Sequence, residues 1–197
     1  MHMLALALFN AAYIVAAAIG AWRSGNMEFV FYIVIMLVLI GAILAVHLRM
    51  GLHLATLWLL SVWGLAHMAG GLLAIGPDQV LYDWWLIPER LRYDQVVHAY
   101  GFGVTTWLCW QILRRHLPPQ APRFGALLLA AVAGCGFGAM NEVVEFIATR
   151  LVPETNVGGY TNTGWDLVAN LVGCLLALGL IAWLDPQARR QASDATA

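Results

Sequence analysis

The chain contains no lysine, which excludes Schiff-base chemistry and a P-loop, since both need that amine. Serine is nearly absent: Ser24, Ser61 and Ser193 are the whole complement. None stands in a Gly-x-Ser-x-Gly setting, so a serine-hydrolase elbow is not expected. Charge is scarce too, at 11% of 197 residues, where a soluble domain carries about a quarter. A hydrated globular surface cannot be built from that composition. Ten arginines against eleven acids leave no basic surplus, and no nucleic-acid partner is expected. Cys109, Cys135 and Cys174 all lie inside apolar runs and read as small buried hydrophobes rather than a disulfide framework.

What is abundant is hydrocarbon. The chain is 61% hydrophobic, with a mean hydropathy of +0.75. A bilayer core takes about 20 apolar residues as helix, and six stretches qualify: Leu4–Trp22, Phe29–Leu48, Leu52–Ile75, Tyr93–Leu113, Phe124–Leu151 and Trp165–Leu184. The expected fold is all-α, a polytopic membrane bundle of about six transmembrane helices in one integral domain over residues 1–197. Ala16-Ala17-Ala18 could pass for a signal cleavage site, but no positive segment precedes the first apolar run, which is also long for a signal peptide.

With six spans, Arg49, Arg114, Arg115, Arg123, Arg189 and Arg190 share one side with the termini. Arg23, Arg90, Arg92 and Arg150 fall on the other, and the loop with the Pro118-Pro119 pair tightens the first group. The positive-inside rule then places both termini in the cytoplasm, with the protein in the cytoplasmic membrane. The longest connection, Gly76 to Arg92, carries Tyr82, Trp84 and Trp85 and reads as an interfacial aromatic segment. Pro153 to Gly164 reads as an ordered polar turn on the same outer side.

Ionisable groups inside spans cost on the order of 2.5–3.5 kcal/mol each at mid-helix, so they mark function by default. Here they come in pairs: Asp94 with His98 (i,i+4), Glu142 with Glu145 (i,i+3), and Asp166 with Asn170 (i,i+4). His67 lies in the outer half of span three, before Gly70-Gly71. Spans three and five run outward while four and six run inward, so all these groups fall at similar depth in the outer half of the bundle. Four acids face only two imidazoles, and neighbouring carboxylates in a low dielectric do not all stay ionised unless something neutralises them. Either protons or a cation must sit among them. Carboxylates with imidazole suit zinc, manganese or iron, and carboxylates alone suit magnesium or calcium. Interhelical hydrogen-bond glue is the better account of any single pair, but four acids cost more than such bonds return. Gly134-Cys135-Gly136-Phe137-Gly138 resembles a nucleotide fingerprint only superficially, because no strand precedes it; close helix packing explains its glycines.

Taken in order, Tyr93-Asp94-x-x-x-His98, Glu142-x-x-Glu145 and Trp165-Asp166-Leu167-x-x-Asn170-x-x-Gly173 resemble the VanZ-like membrane proteins and the related YjdF-like inner-membrane family. His67-Met68-Ala69-Gly70-Gly71 matches a His followed by paired glycines in the YjdF-like pattern. The resemblance covers about residues 60 to 180. It implies a multi-pass membrane protein, and VanZ-like members are linked to glycopeptide-antibiotic resistance.

Two functions are expected from these residues. The first is a metal-dependent hydrolase of a lipid or lipid-linked substrate. In it a divalent metal is held by His67, Asp94, His98 and Asp166, Glu142 or Glu145 acts as general base, and Tyr93, Asn162 and Asn170 contact the substrate. The second is a non-catalytic lipid or antibiotic binder, or a proton- or cation-coupled transporter.

Overall fold

The computed structural model describes residues 1–77, 79–118, 121 and 123–185. Pro119 of the proline pair, and Arg189 and Arg190 of the arginine set, lie outside the described residues. Six long helices follow one another: α1 (His2–Ser24), α2 (Met27–Met50), α3 (Leu54–Leu72), α4 (Tyr93–His116), α5 (Arg123–Leu151) and α6 (Tyr160–Leu184). All but α4 are long and apolar enough to cross a membrane. Large apolar side chains such as Val34, Val38 and Leu48 of α2 are exposed on the outside of the bundle, where hydrocarbon is the matching solvent.

The shortfall of α4 has a physical reason. Its 24 residues span about 36 Å, but they include Asp94, His98, Gln111, Arg114 and Arg115. It is wrapped by α3, α5 and α6, so its polar groups meet protein rather than acyl chains. Val97, His98, Phe102, Thr106, Trp110 and Gln111 are all buried. The helix that composition makes least membrane-like is the axis of the bundle.

Short connections reverse the chain between α1 and α2 and again between α2 and α3, and α1 also packs on α3. Gly25 takes a left-handed backbone (φ 65) that ends α1, and the Asn26 side chain then accepts from the Phe29 N–H to start α2. Gly51 (φ 57) ends α2 in the same way; both angles favour a residue without Cβ.

All helix ends but one fall within three residues of the sequence expectation, and two of the differences shape the connections. The third helix stops at Leu72 rather than Ile75, because Leu73 turns extended and its carbonyl accepts from Leu81 N. The connection that follows is folded: β1 (Ala74–Gly76) pairs with β2 (Gln79–Val80), a 3-10 turn covers Leu81–Asp83, and β3 (Trp85–Ile87) pairs with β4 (Leu91–Arg92). The all-α bundle thus carries two small antiparallel hairpins. The sixth helix begins at Tyr160, not Trp165, since Thr161-Asn162-Thr163 are helical without being apolar.

α4 and α6 meet at backbone distance. A Cβ on Gly103 would lie 3.1 Å from the Gly173 carbonyl oxygen, and one on Gly173 would run into the Ala99 carbonyl. Absent side chains here bring the polar turns of the two helices together.

Candidate functional site

His98 is the hub. It lies one and a half turns into α4 and is 4% exposed. Its Nδ1 is 3.1 Å from Asn170 Oδ1 on α6 and 3.5 Å from Glu142 Oε1 on α5. Its Nε2 is 3.5 Å from Asp94 Oδ1, one turn back on α4, and 3.8 Å from Glu145 Oε1. Three helices therefore place four polar partners around one imidazole. The Gly138 backbone makes room for this: a Cβ there would lie 2.8 Å from Asn170 Nδ2.

Asp166 is 1% exposed and faces the same centre. One of its oxygens accepts from Asn162 Nδ2 at 2.6 Å. Asn162, expected in the ordered polar turn before span six, is instead in the first turn of α6, and helical i,i+4 spacing aims it at Asp166. On α5, Asn141 Nδ2 donates to Glu145 Oε1 at 2.7 Å. Both Glu142 oxygens, Asp166 Oδ1 and Asn170 Nδ2 are buried without a hydrogen bond of good geometry. Buried polar atoms left in this way are uncommon and call for an explanation.

Two groups have ligand atoms within 4.8 Å of one another: Asp94, His98 and Asp166, and His98, Glu142 and Glu145. His67 belongs to neither. It sits among the rings of Phe29, Tyr32, Trp63 and Tyr82, with centroids 5.7–6.3 Å away. The Tyr82 hydroxyl lies 2.6 Å from His67 Nδ1 and 2.9 Å from the His67 carbonyl oxygen, which occupies one of the two ring nitrogens. The Tyr93 hydroxyl donates to the Ala66 carbonyl on α3.

The paired glycines after His67 now have a physical purpose. A Cβ on Gly70 would collide with the Tyr82 ring, and one on Gly71 with the Phe29 ring. These glycines open the slots in which the two aromatic rings flank the imidazole. Tyr82 comes from the 3-10 turn and closes the connection down onto α3. Burial pushes its phenol well above the ordinary range, with Asp94 and Glu145 adding to the shift, so the hydroxyl keeps its proton.

Sequence reasoning missed three participants. Asn141 was legible, since it stands four residues before Glu145. Glu28, 3% exposed, accepts from Asn156 N at 2.8 Å and ties the α5–α6 link to α2; its place at the margin of a span is one that an ordinary flanking charge also takes. Tyr82 carried no signal beyond being aromatic in a loop, because the fold alone decides that it turns inward.

A family model described as "Predicted membrane protein (DUF2238)" matches residues 2–186. The chain belongs to that family. The match takes in all six helices of this DUF2238 protein, and with them the acid cluster and the aromatic box around His67. A curated protein of Thermotoga maritima, described as an uncharacterized protein, is 32% identical over 83 residues. That alignment covers 42% of this chain and 43% of the relative, so the chain spans under half of the length of the protein it matches. No solved structure matches. Family and helices together make this an integral membrane protein with several spans.

Proposed function

We propose that the cluster around His98 binds a divalent cation and that the protein is a metal-dependent hydrolase of a lipid or lipid-linked substrate. It would lie in the cytoplasmic membrane with the cluster toward the outer face and both termini in the cytoplasm. The observation that carries this reading is carboxylate oxygen buried without a hydrogen bond, on Glu142 and Asp166, beside an imidazole. Four acids in one low-dielectric site need neutralising, and His98 alone supplies at most one positive charge.

Asp94, His98 and Asp166 are the ligands in this scheme. Their ligand atoms lie within 4.8 Å of one another, near enough for all three to hold one ion. Imidazole with carboxylates suits zinc, manganese or iron. A cation there would neutralise the acids and polarise an ester or phosphoryl oxygen. Asn170 fixes the His98 ring, and Asn141 fixes Glu145. Glu142, whose oxygens accept no hydrogen bond, takes the proton from the attacking water as the water oxygen bonds to the ester centre. The ester bond breaks, and Glu142 returns that proton to the departing oxygen. Asn162, which donates to Asp166, would meet the substrate there. The motif order resembles that of VanZ-like and YjdF-like proteins, and VanZ-like members are linked to glycopeptide-antibiotic resistance.

Elemental analysis of the detergent-purified protein tests this. About one transition-metal ion per chain is expected, lost in His98→Ala and Asp166→Ala at unchanged expression; unchanged metal content in the double variant refutes it. A second reading, a proton- or cation-coupled binder, draws on the depth of His98 and on Tyr82 closing the outer connection. It predicts activity that survives chelator, whereas the hydrolase loses it.

A further inference from the structure

At the other end of the bundle the electrostatics reverse. Among the described residues, every acid except Asp185 belongs to the half that holds the His98 cluster, while Arg49, Arg114, Arg115 and Arg123 belong to the opposite half. Asp94 and Arg114 are twenty residues apart on one helix, roughly 30 Å, about the thickness of a bilayer core. A cavity of about 320 Å3 opens at this basic end, between the last turns of α4 and α6 and the α2–α3 link.

Its walls are chemically divided. Trp107, Trp110, Gln111 and Arg114 recur at i, i+3, i+4 and i+7, so one face of α4 carries an indole floor and a guanidinium rim. Arg115 closes a second side, anchored by an Nη2–H that donates to the Gly51 carbonyl at 2.6 Å. One guanidinium nitrogen is thereby fixed while other donors stay available. Arg114 is exposed and makes no ion pair with the described residues. His53 stands beside them at the start of α3. Asp185 is buried and has an interaction of its own. The volume equals that of about ten liquid waters, enough for a phosphate and the carbons attached to it.

We propose that this cavity binds a phosphate group, held between the guanidinium groups of Arg114 and Arg115 over the indoles of Trp107 and Trp110. Arginine pairs suit phosphate oxygens because the planar fork presents parallel N–H donors. Tryptophan at the end of a span sits at headgroup depth, and basic groups at that depth attract anionic lipid. The phosphate is presented either by an anionic phospholipid headgroup or by a soluble phosphate.

Native mass spectrometry of the full chain, released from micelles doped equally with phosphatidylglycerol and phosphatidylcholine, tests the site. Wild type is expected to retain one phosphatidylglycerol in preference, and Arg114→Gln to weaken that retention at least ~10-fold. Arg49→Gln, at the same end but outside the cavity, should leave it unchanged. Because Arg115 also ties down the α2–α3 link, the double variant Arg114→Gln/Arg115→Gln is read only alongside the single Arg114 variant. A parallel arm measures the thermal shift with inorganic phosphate. Lipid retention without that shift identifies the headgroup as the source, and a shift abolished by Arg114→Gln without lipid preference identifies soluble phosphate. Neither response, or equal losses in the Arg49 and Arg114 variants, overturns the proposal.

Discussion

Gly173→Ala puts the α4–α6 contact under direct strain. The added methyl would lie 2.6 Å from the Ala99 carbonyl carbon, roughly 0.8 Å inside ordinary contact, and closer still to its oxygen. Backbone atoms cannot swing away as a side-chain tip can, so the helices must separate. Overpacking of this kind costs about 1–3 kcal/mol. Gly179→Ala on the same helix meets nothing within 4 Å and is the control. Both substitutions gain the same helix propensity, up to about 1 kcal/mol, so their difference isolates packing. A gap of ~1–3 kcal/mol, about 5–150-fold in the unfolding equilibrium, is expected in denaturant titrations of the detergent-solubilised protein. Asn170 is one turn from Gly173, so separation also draws it off His98, and bound metal should fall in parallel. Equal stability of the two alanine variants would refute the backbone-contact account of how the cluster is assembled.

Other consequences are separable. Tyr82→Phe removes the hydroxyl that meets His67 and should cost about 1 kcal/mol, with hydrogen exchange rising first across residues 73–92. Gly71→Ala, which drives a methyl into the Phe29 ring, should destabilise more than Gly41→Ala, where nothing lies within 4 Å; equal effects on thermal unfolding contradict the aromatic box. Asp166→Asn removes one of several crowded acids and should raise the stability of metal-free protein while abolishing stabilisation by added zinc or manganese. A thermal shift with metal that persists in Asp166→Asn removes that residue from the ligand set.

The cluster was half legible in the chain. Each pair, Asp94 with His98, Glu142 with Glu145 and Asp166 with Asn170, follows from helical spacing, and alternating helix direction puts the pairs at one depth. Depth does not give azimuth. Nothing in the pattern of His67 distinguishes a group turned toward Asp94 from one turned into a ring of aromatics, and the second holds. Asn162 is helical where a turn is expected, because hydropathy marks where hydrocarbon ends, not where the helix ends.

Composition and spacing alone determined the class: so little charge and so much hydrocarbon leave a membrane bundle as the only stable solution, with its polar pairs one turn apart. Only the tertiary structure decided that the most polar helix lies at the centre, that Tyr82 turns inward, and that a basic cavity faces the far side. The reason is range. Local spacing acts over a turn of helix, whereas the approach of α4 to α6 depends on Gly103 and Gly173, seventy residues apart, meeting across one interface.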